Sequence, residues 1–258
     1  MKTPVKNTRR PLSYISTINI NHIDLKNPWV TAWWSASFPG LGHIFLGSYV
    51  KGFLLIVWEI VINVKSRLNL AIIYSFNGRY EMAKEVLDSR WLLLYIAVYI
   101  YSMWDSYRKT VELNKFAVLA KRENSPITPF KIDSIEINYL DKRNPWVSLT
   151  SSIFMPGLGH LCTHRLPTGF LLLTLWVIIS YYSHLLQAVQ YSATGAFSQA
   201  KAIVDPEWLL FLPSLFGFAI YDAYVHLVEF NKLFQFEQSR FLKENYQDPG
   251  FKLPFNKT

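Results

Sequence analysis

The stretch Asn27-Pro28-Trp29-Val30, followed by Pro39-Gly40-Leu41-Gly42-His43, returns later as Asn144-Pro145-Trp146-Val147 and Pro156-Gly157-Leu158-Gly159-His160. A shift of 117 positions aligns residues 18–115 with residues 135–232 without a gap, and 37 of the 98 aligned pairs are identical. A period this long exceeds the ~20 to 50 residues of solenoid repeats and indicates a duplicated small domain. We therefore predict two halves of similar structure.

The duplication divides the 258 residues into five segments. These are a basic N-terminal segment (1–17), a first membrane repeat (18–115), a cytoplasmic linker (116–134), a second membrane repeat (135–232) and a C-terminal tail (233–258). The linker contains Pro126 and Pro129 among serine and threonine, which is typical of an exposed connection. No removable signal peptide is expected, because the basic N-terminal segment lacks a following short apolar stretch and cleavage site.

The composition is typical of a membrane protein. Hydrophobic residues make up 51% of the chain, aromatic residues 16% and charged residues only 17%, and there are nine tryptophans. Four apolar runs, at 53–64, 91–104, 170–182 and 208–220, extend with their flanks to the ~20 residues of a spanning helix. The net charge is +8, and the basic residues lie mainly in the segments around these apolar runs. We therefore expect a lipid bilayer as partner and no nucleic acid.

Each half is predicted to contain a short helical segment, a break, and two spanning helices. The break falls at Pro39, Gly40 and Gly42 in the first half and at Pro156, Gly157 and Gly159 in the second, because proline removes a backbone donor and glycine permits close approach. The short segments span 29–38 and 146–155, and the first spanning helices should begin near Ile44 and Leu161. Whether the short segments cross the bilayer is left open by the sequence.

The distribution of lysine and arginine predicts sidedness. Both termini and the linker are basic and belong in the cytoplasm of a multi-pass cell-membrane protein. An even number of crossings per half follows, so the two repeats should be parallel, with four spanning helices in an all-α fold. Residues 74–87 and 191–204 then form an outer amphipathic helical hairpin in each repeat, which lies over the membrane or docks a partner. Residues 15–23 and 132–140 alternate as strands do, and could pair with each other.

Two identical pairs of ionisable residues occupy equivalent places in the repeats. His43 and His160 follow the break, whereas Asp105 and Asp222 lie near the end of the second spanning helix, which parallel repeats bring to one level. An imidazole bonded to a carboxylate satisfies both groups in a low dielectric. The pairs are interpreted as structural clasps, with a proton relay or substrate contact as the alternative.

Other polar residues distinguish the two repeats. Glu59 lies in the first apolar run where the second repeat has Trp176; it either reaches the interface or pairs with Lys65 or Arg90, or it faces a polar cavity between the halves. His164 and Arg165, in place of Gly47 and Ser48, are expected at lipid headgroups. The single cysteine, Cys162, excludes an intrachain disulfide, and no metal site or cofactor motif is expected.

The phrase Pro39-Gly40-Leu41-Gly42-His43-Ile44-Phe45-Leu46-Gly47, with Lys51-Gly52-Phe53-Leu54-Leu55 and Trp104-Asp105, resembles the two-transmembrane-helix domain family. In the second repeat Cys162-Thr163-His164 replaces Phe45-Leu46-Gly47. The resemblance implies a small integral membrane module without an agreed activity, of a kind found in bacterial membrane proteins.

Three functions are compatible with these features. The leading hypothesis is a non-catalytic membrane interaction or assembly module with a membrane or extracytoplasmic protein partner. The alternative is a small transporter or channel with a polar pathway between the repeats, and the third is a lipid-modifying enzyme that uses a His–Asp pair. A dry interface between the repeats favours the first, and a continuous polar cavity favours the second.

Overall fold

The computed structural model describes residues 10–123, 125, 127–134 and 136–248. Helices account for 72% of these residues, so the prediction of a mostly helical fold is confirmed. The first half contains β1 (Ser13–Ile15), β2 (Ile20–His22), α1 (Pro28–Ser37), α2 (Leu41–Phe45), α3 (Tyr49–Ser66), α4 (Leu68–Phe76), α5 (Tyr80–Val86) and α6 (Ser89–Glu123). The second half contains β3 (Phe130–Ile132), β4 (Ile137–Tyr139), α7 (Pro145–Phe154), α8 (Leu158–Cys162), α9 (Leu166–Tyr182), α10 (Leu185–Ala193), α11 (Phe197–Ile203), α12 (Pro206–Leu209) and α13 (Leu212–Asn245).

Four element bounds cross the segment boundaries that the sequence suggested. The matching hairpins begin at Ser13 and Phe130, inside the segments assigned to the N-terminal region and the linker. Helix α6 continues to Glu123 and α13 to Asn245, so the start of the linker and most of the described tail are helical. Residues 1–9 and 249–258 lie outside the described residues.

The strand pairing predicted between the two alternating segments is wrong. Each segment instead folds back on itself as an antiparallel hairpin, with β1 paired to β2 and β3 paired to β4. In the first hairpin Ser16 and Asn19 close the turn, because the amide of Asn19 donates to the Ser16 hydroxyl at 3.1 Å and Ser16 N–H donates to the Asn19 carbonyl. The alternation of apolar and polar residues predicts one extended strand, but a turn closed by side chains reverses the direction of the chain within it.

The Asn-Pro-Trp phrase begins a helix in both halves. The Asn27 side chain accepts the N–H of Trp29 at 2.9 Å and Asn144 accepts that of Trp146 at 3.0 Å, while the proline occupies the first helical turn. These are the preferred residues for a helix start. Helices α1 and α7 have ten residues each, or roughly 15 Å, which is too short to cross the hydrocarbon core.

The Pro-Gly-Leu-Gly segment ends α1 and turns the chain into α2. Gly40 has a φ of +102°, which residues with a side chain rarely adopt, and its carbonyl accepts the backbone N–H groups of His43 and Ile44. A Cβ on Gly42 would lie 2.3 Å from Ser35 Oγ and 2.4 Å from the Thr31 carbonyl, so glycine lets α2 pack directly on α1. The predicted break is therefore present, and its copy at Gly157 has the same φ.

The long helices begin later than expected. A second break follows α2 and α8, where Gly47 and His164 have φ values of +72° and +63°. Helix α3 therefore begins at Tyr49 rather than near Ile44, and α9 begins at Leu166 rather than near Leu161. A left-handed residue at the end of the short helix prevents it from continuing into the next one.

By length and composition, fewer helices could cross a membrane than the four that the sequence predicts. Within the described residues, the segment Pro206–Asn245 alone is long and apolar enough to cross a membrane. Two further spans are counted only if bent pairs are taken together, α5 with α6 at 91° and α9 with α10 at 64°. Helix α3 carries Lys51, Glu59 and Lys65 among its 18 residues, and α9 has only 17 residues, so neither qualifies by itself.

Apolar side chains close the seam between the two halves. Buried residues of the first half form one cluster with buried residues of the second; this seam cluster comprises Phe38, Leu41, Ile44, Phe45, Ile56, Leu172, Leu175, Ile179, Phe211, Leu212, Leu215, Phe218 and Ala219. Beside it, α3 and α9 border an open groove lined by residues such as Val50, Phe53, Leu54, Phe170 and Leu171. This part of the contact between the halves is therefore apolar.

Candidate functional sites

The first histidine–aspartate pair joins three helices. His43 of α2 and Asp105 of α6 are at most 1% exposed, and Nε2 lies 3.1 Å from Oδ2. Two half-exposed cations also donate to the carboxylate: Lys51 of α3 at 2.8 Å and Arg108 of α6 at 3.0 Å. Asp105 thus accepts from α2, α3 and its own helix, and its cationic partners extend to the surface.

The second pair has the same core and a different cation. His160 Nε2 lies 2.8 Å from Asp222 Oδ2, and neither side chain is exposed. The equivalent of Lys51 is Thr168, and the positive charge comes instead from Arg165, whose Nη1 donates to the same carboxylate oxygen. Arg165 is 2% exposed, so the expectation that it reaches the lipid headgroups is wrong. A buried carboxylate requires a paired cation, and this arginine supplies it.

Burial lowers the pKa of His43 and of His160, while the facing carboxylates oppose that shift. Both histidines lie in the short helices α2 and α8, outside the candidate spanning segments. A neutral imidazole donates its Nε2–H to aspartate and so holds the break against α6 in the first half and against α13 in the second. Both imidazoles are fully buried, so a substrate would reach them only if the helices separated. The structural clasp stays a prediction, with the proton relay as its alternative.

Glu59 belongs to a buried polar chain between the halves. Its Oε1 accepts from Asn63 Nδ2 at 2.9 Å and from the Tyr95 hydroxyl at 3.4 Å. Asn63 contacts Asn69, whose Nδ2 donates to the Glu207 carbonyl of the second half at 2.9 Å. Glu59 is 4% exposed and bonds neutral groups, so the expected alternatives of Lys65, Arg90 or the interface do not describe its contacts.

An amide bridge that sequence analysis overlooked precedes each Asn-Pro-Trp phrase. Asn114 accepts the N–H of Lys26 at 2.9 Å and donates to its carbonyl at 2.8 Å. Asn231 does the same to Arg143, at 3.0 Å and 2.7 Å. The signal was present, because Asn114 and Asn231 are an identical pair in the internal alignment. Their role was not evident because each acts on backbone 88 residues away in sequence.

Two histidines of different halves also meet, which the sequence did not indicate. The rings of His22 and His226 are 5.2 Å apart, beside Arg165. In the described ranges, no group of three or more histidine, cysteine, aspartate or glutamate side chains is placed to hold a metal ion.

The chain was compared with known families, with curated proteins and with solved structures. None of the three comparisons finds a match for this chain. The likeness to the two-transmembrane-helix domain family therefore stays a prediction from the quoted motifs.

Proposed function

We propose that the protein is a multi-pass integral membrane protein whose long helices α3, α6, α9 and α13 cross the bilayer. The observation that carries this is an inverted burial pattern. On α6 the buried positions include Ser102, Asp105, Ser106 and Thr110, whereas Leu93 is 70% exposed and Ile100 57%. Helices in lipid place small and polar residues at their contacts and apolar residues outside.

The ionisable residues of α3 are compatible with crossing. Lys51 is bonded to the buried Asp105, and Glu59 is bonded inside the protein, whereas Val50 and Leu54 are 77% and 62% exposed. Intramembrane charges that pair in the interior cost far less than charges that face lipid. The basic linker and termini then belong in the cytoplasm, with α1 and α7 as interfacial or re-entrant pieces.

Within that frame we infer a non-catalytic interaction module. The seam cluster joins the two repeats through apolar contacts, which supports a rigid body. The hairpin of α4 and α5 borders a groove of about 910 Å³ lined by Leu68, Ala71, Ile72, Phe76, Tyr80, Ala83 and Leu87 together with Ser75 and Lys84. Phe76 is 87% exposed there. Large exposed apolar surfaces of this kind mark sites of association, so this groove is the proposed docking surface for a membrane or extracytoplasmic protein.

The test is photo-crosslinking in native membranes with a reactive amino acid at position 76 and, as matched control, at position 193, which is alanine in the second repeat. A discrete adduct from position 76, absent from position 193, supports the docking surface. Equal labelling by lipid alone at both positions contradicts it. The membrane assignment has its own readout: release of the protein by alkaline carbonate would refute it.

The transporter alternative is supported by the chain of Glu59, Asn63 and Asn69, which links the halves by polar contacts. It predicts cation or proton flux in proteoliposomes that Glu59→Gln abolishes while the protein remains folded. The interaction module predicts no flux above that of empty vesicles for either protein.

A further inference from the structure

A small cavity lies beneath the first hairpin, where the two repeats meet. It has a volume of about 230 Å³. Its walls come from the first hairpin and its flanking residues, from the end of α2 and the start of α3, from α6, and from two residues of the second half. The polar lining that matters here is His22, Asp24, Lys26, Asn114, Arg165 and His226.

Four buried nitrogen atoms in this lining have no hydrogen-bond partner within the described part of the chain. They are Nδ1 and Nε2 of His22, Nε2 of His226 and Nε of Arg165. The nearest carboxylate oxygen to His22, on Asp24, is 3.7 Å from Nε2, which is beyond hydrogen-bond distance. A buried unsatisfied polar group is costly, and four around one cavity call for a common explanation.

The chemistry of the lining favours an oxyanion. Arg165 uses Nη1 on Asp222 and still presents Nε–H, which can only donate. The neutral imidazole of His22 presents one further N–H, because neither of its nitrogens has a partner in the described residues. Lys26 and Arg165 are the cations of the lining, and each already contacts one carboxylate, Asp24 and Asp222 respectively. Phosphate oxygens accept hydrogen bonds from this donor set, and arginine is the preferred partner of such groups.

In the first repeat, the side chains at the equivalent positions are hydrogen-bonded to each other. Arg165 and His226 correspond to Ser48 and Lys109, and there Lys109 donates to the Ser48 hydroxyl at 2.6 Å. His22 corresponds to Tyr139. The second repeat therefore replaces a bonded pair by two side chains that each leave a buried nitrogen without a partner in the described residues, and His22 of the first repeat faces them.

We infer that this cavity binds a phosphate group, held by Arg165, His22, His226 and Lys26. The volume suits a phosphate or a small phosphorylated headgroup rather than a nucleotide, since sites for larger ligands are roughly 300–1,000 Å³. The source is either a free phosphate compound or the headgroup of a phospholipid in the cytoplasmic leaflet.

The experiment uses the full chain in phosphatidylcholine nanodiscs, with imidazole nitrogens labelled by ¹⁵N. One arm adds inorganic phosphate, and the other incorporates phosphatidic acid without free phosphate. Saturable shifts of the His22 and His226 signals are expected in at least one arm, with the exposed His184 unmoved as internal control. A response to phosphate identifies a free ligand, and a response to phosphatidic acid alone identifies a lipid headgroup.

Substitutions give the second measurement. His226→Phe and His22→Phe should each weaken binding roughly tenfold, the value of one charge-assisted hydrogen bond, while His184→Gln leaves it unchanged. Arg165→Ser combined with His226→Lys installs the pair of the first repeat and should abolish binding. Wild-type protein that shows no saturable shift in either arm, or variants that bind as wild type does, would overturn the inference. The wild-type titration decides the matter even where a variant fails to fold.

Discussion

At the scale of single residues, the buried aspartate of each repeat has different cationic partners. Asp105 shares its charge with half-exposed Lys51 and Arg108, whereas Asp222 is bonded to the fully enclosed Arg165. The histidine–aspartate contact is common to both. The surroundings therefore decide what loss of each carboxylate costs.

Asp222→Asn should destabilise the protein far more than Asp105→Asn. The first change leaves Arg165 charged and buried without its anion, which costs about 3–5 kcal/mol. The second leaves Lys51 and Arg108, whose side chains are 48% and 49% exposed and stay hydrated, so about 1 kcal/mol is expected. Urea unfolding of both variants in the same detergent measures the difference; equal losses would contradict the distinction.

Acid should weaken the fold through His22. Burial lowers the pKa of this histidine to about 4 from its ordinary 6.5, with Asp24 opposing and Lys26 adding to the shift. The unfolded chain then binds more protons than the folded one between these values, so stability is retained above pH 6.5 and lost as the pH falls towards 4. The loss amounts to at most about 3 kcal/mol.

The measurement is the free energy of unfolding against pH in phosphate-free buffer, for wild type and His22→Phe. The variant should lack this contribution, so the free energy of unfolding of the wild type should fall more than that of the variant between pH 6.5 and pH 4. Parallel curves from pH 7 to pH 4 would show that His22 titrates normally.

At the scale of elements, the helix break is built on close backbone approach. Gly42→Ala should cost about 2 kcal/mol, because the new Cβ would lie 2.4 Å from a backbone carbonyl that cannot move alone. Gly217→Ala in α13 is the matched control, since its Cβ meets only the Trp34 ring at 3.6 Å. There alanine should be neutral or stabilise by up to about 1 kcal/mol. Thermal unfolding compares the two, and an unaffected Gly42→Ala would refute the packing argument.

The two β-hairpins have the same register but different surroundings. Ile20 of β2 is 1% exposed against α6 and α13, whereas its equivalent Ile137 of β4 is 49% exposed. Ile20→Ala should therefore cost about 2–5 kcal/mol and Ile137→Ala no more than about 0.5 kcal/mol. Chemical denaturation tests this, and similar losses at both sites would mean that the second hairpin is covered in the membrane.

At the scale of the whole molecule, the proposed topology places both outer hairpins on one side of the membrane. In a Cys162→Ser background, single cysteines at Asn77 and Thr194 should react with an impermeant thiol reagent from the outside. A cysteine at Ser134 should react only after the membrane is opened, because the linker is cytoplasmic in this proposal. Labelling of 77 and 194 from opposite sides would show that the repeats are inverted.

The sequence by itself determined the features that depend on local chemistry and on repetition. Asparagine and proline start α1 and α7, and the Pro-Gly break ends them. The identical residues 117 positions apart identify the His–Asp partners, because equivalent helices carry them to equivalent places. Such features need only nearby backbone or the internal alignment to be seen.

Only the tertiary structure decided the features in which the repeats differ. It places Arg165 on Asp222, covers the first hairpin but not the second, and brings His22 to His226 across 204 positions of chain. The spacing of residues does not predict these contacts. Each depends on how two diverged halves pack against each other, and not on the sequence pattern that the halves share.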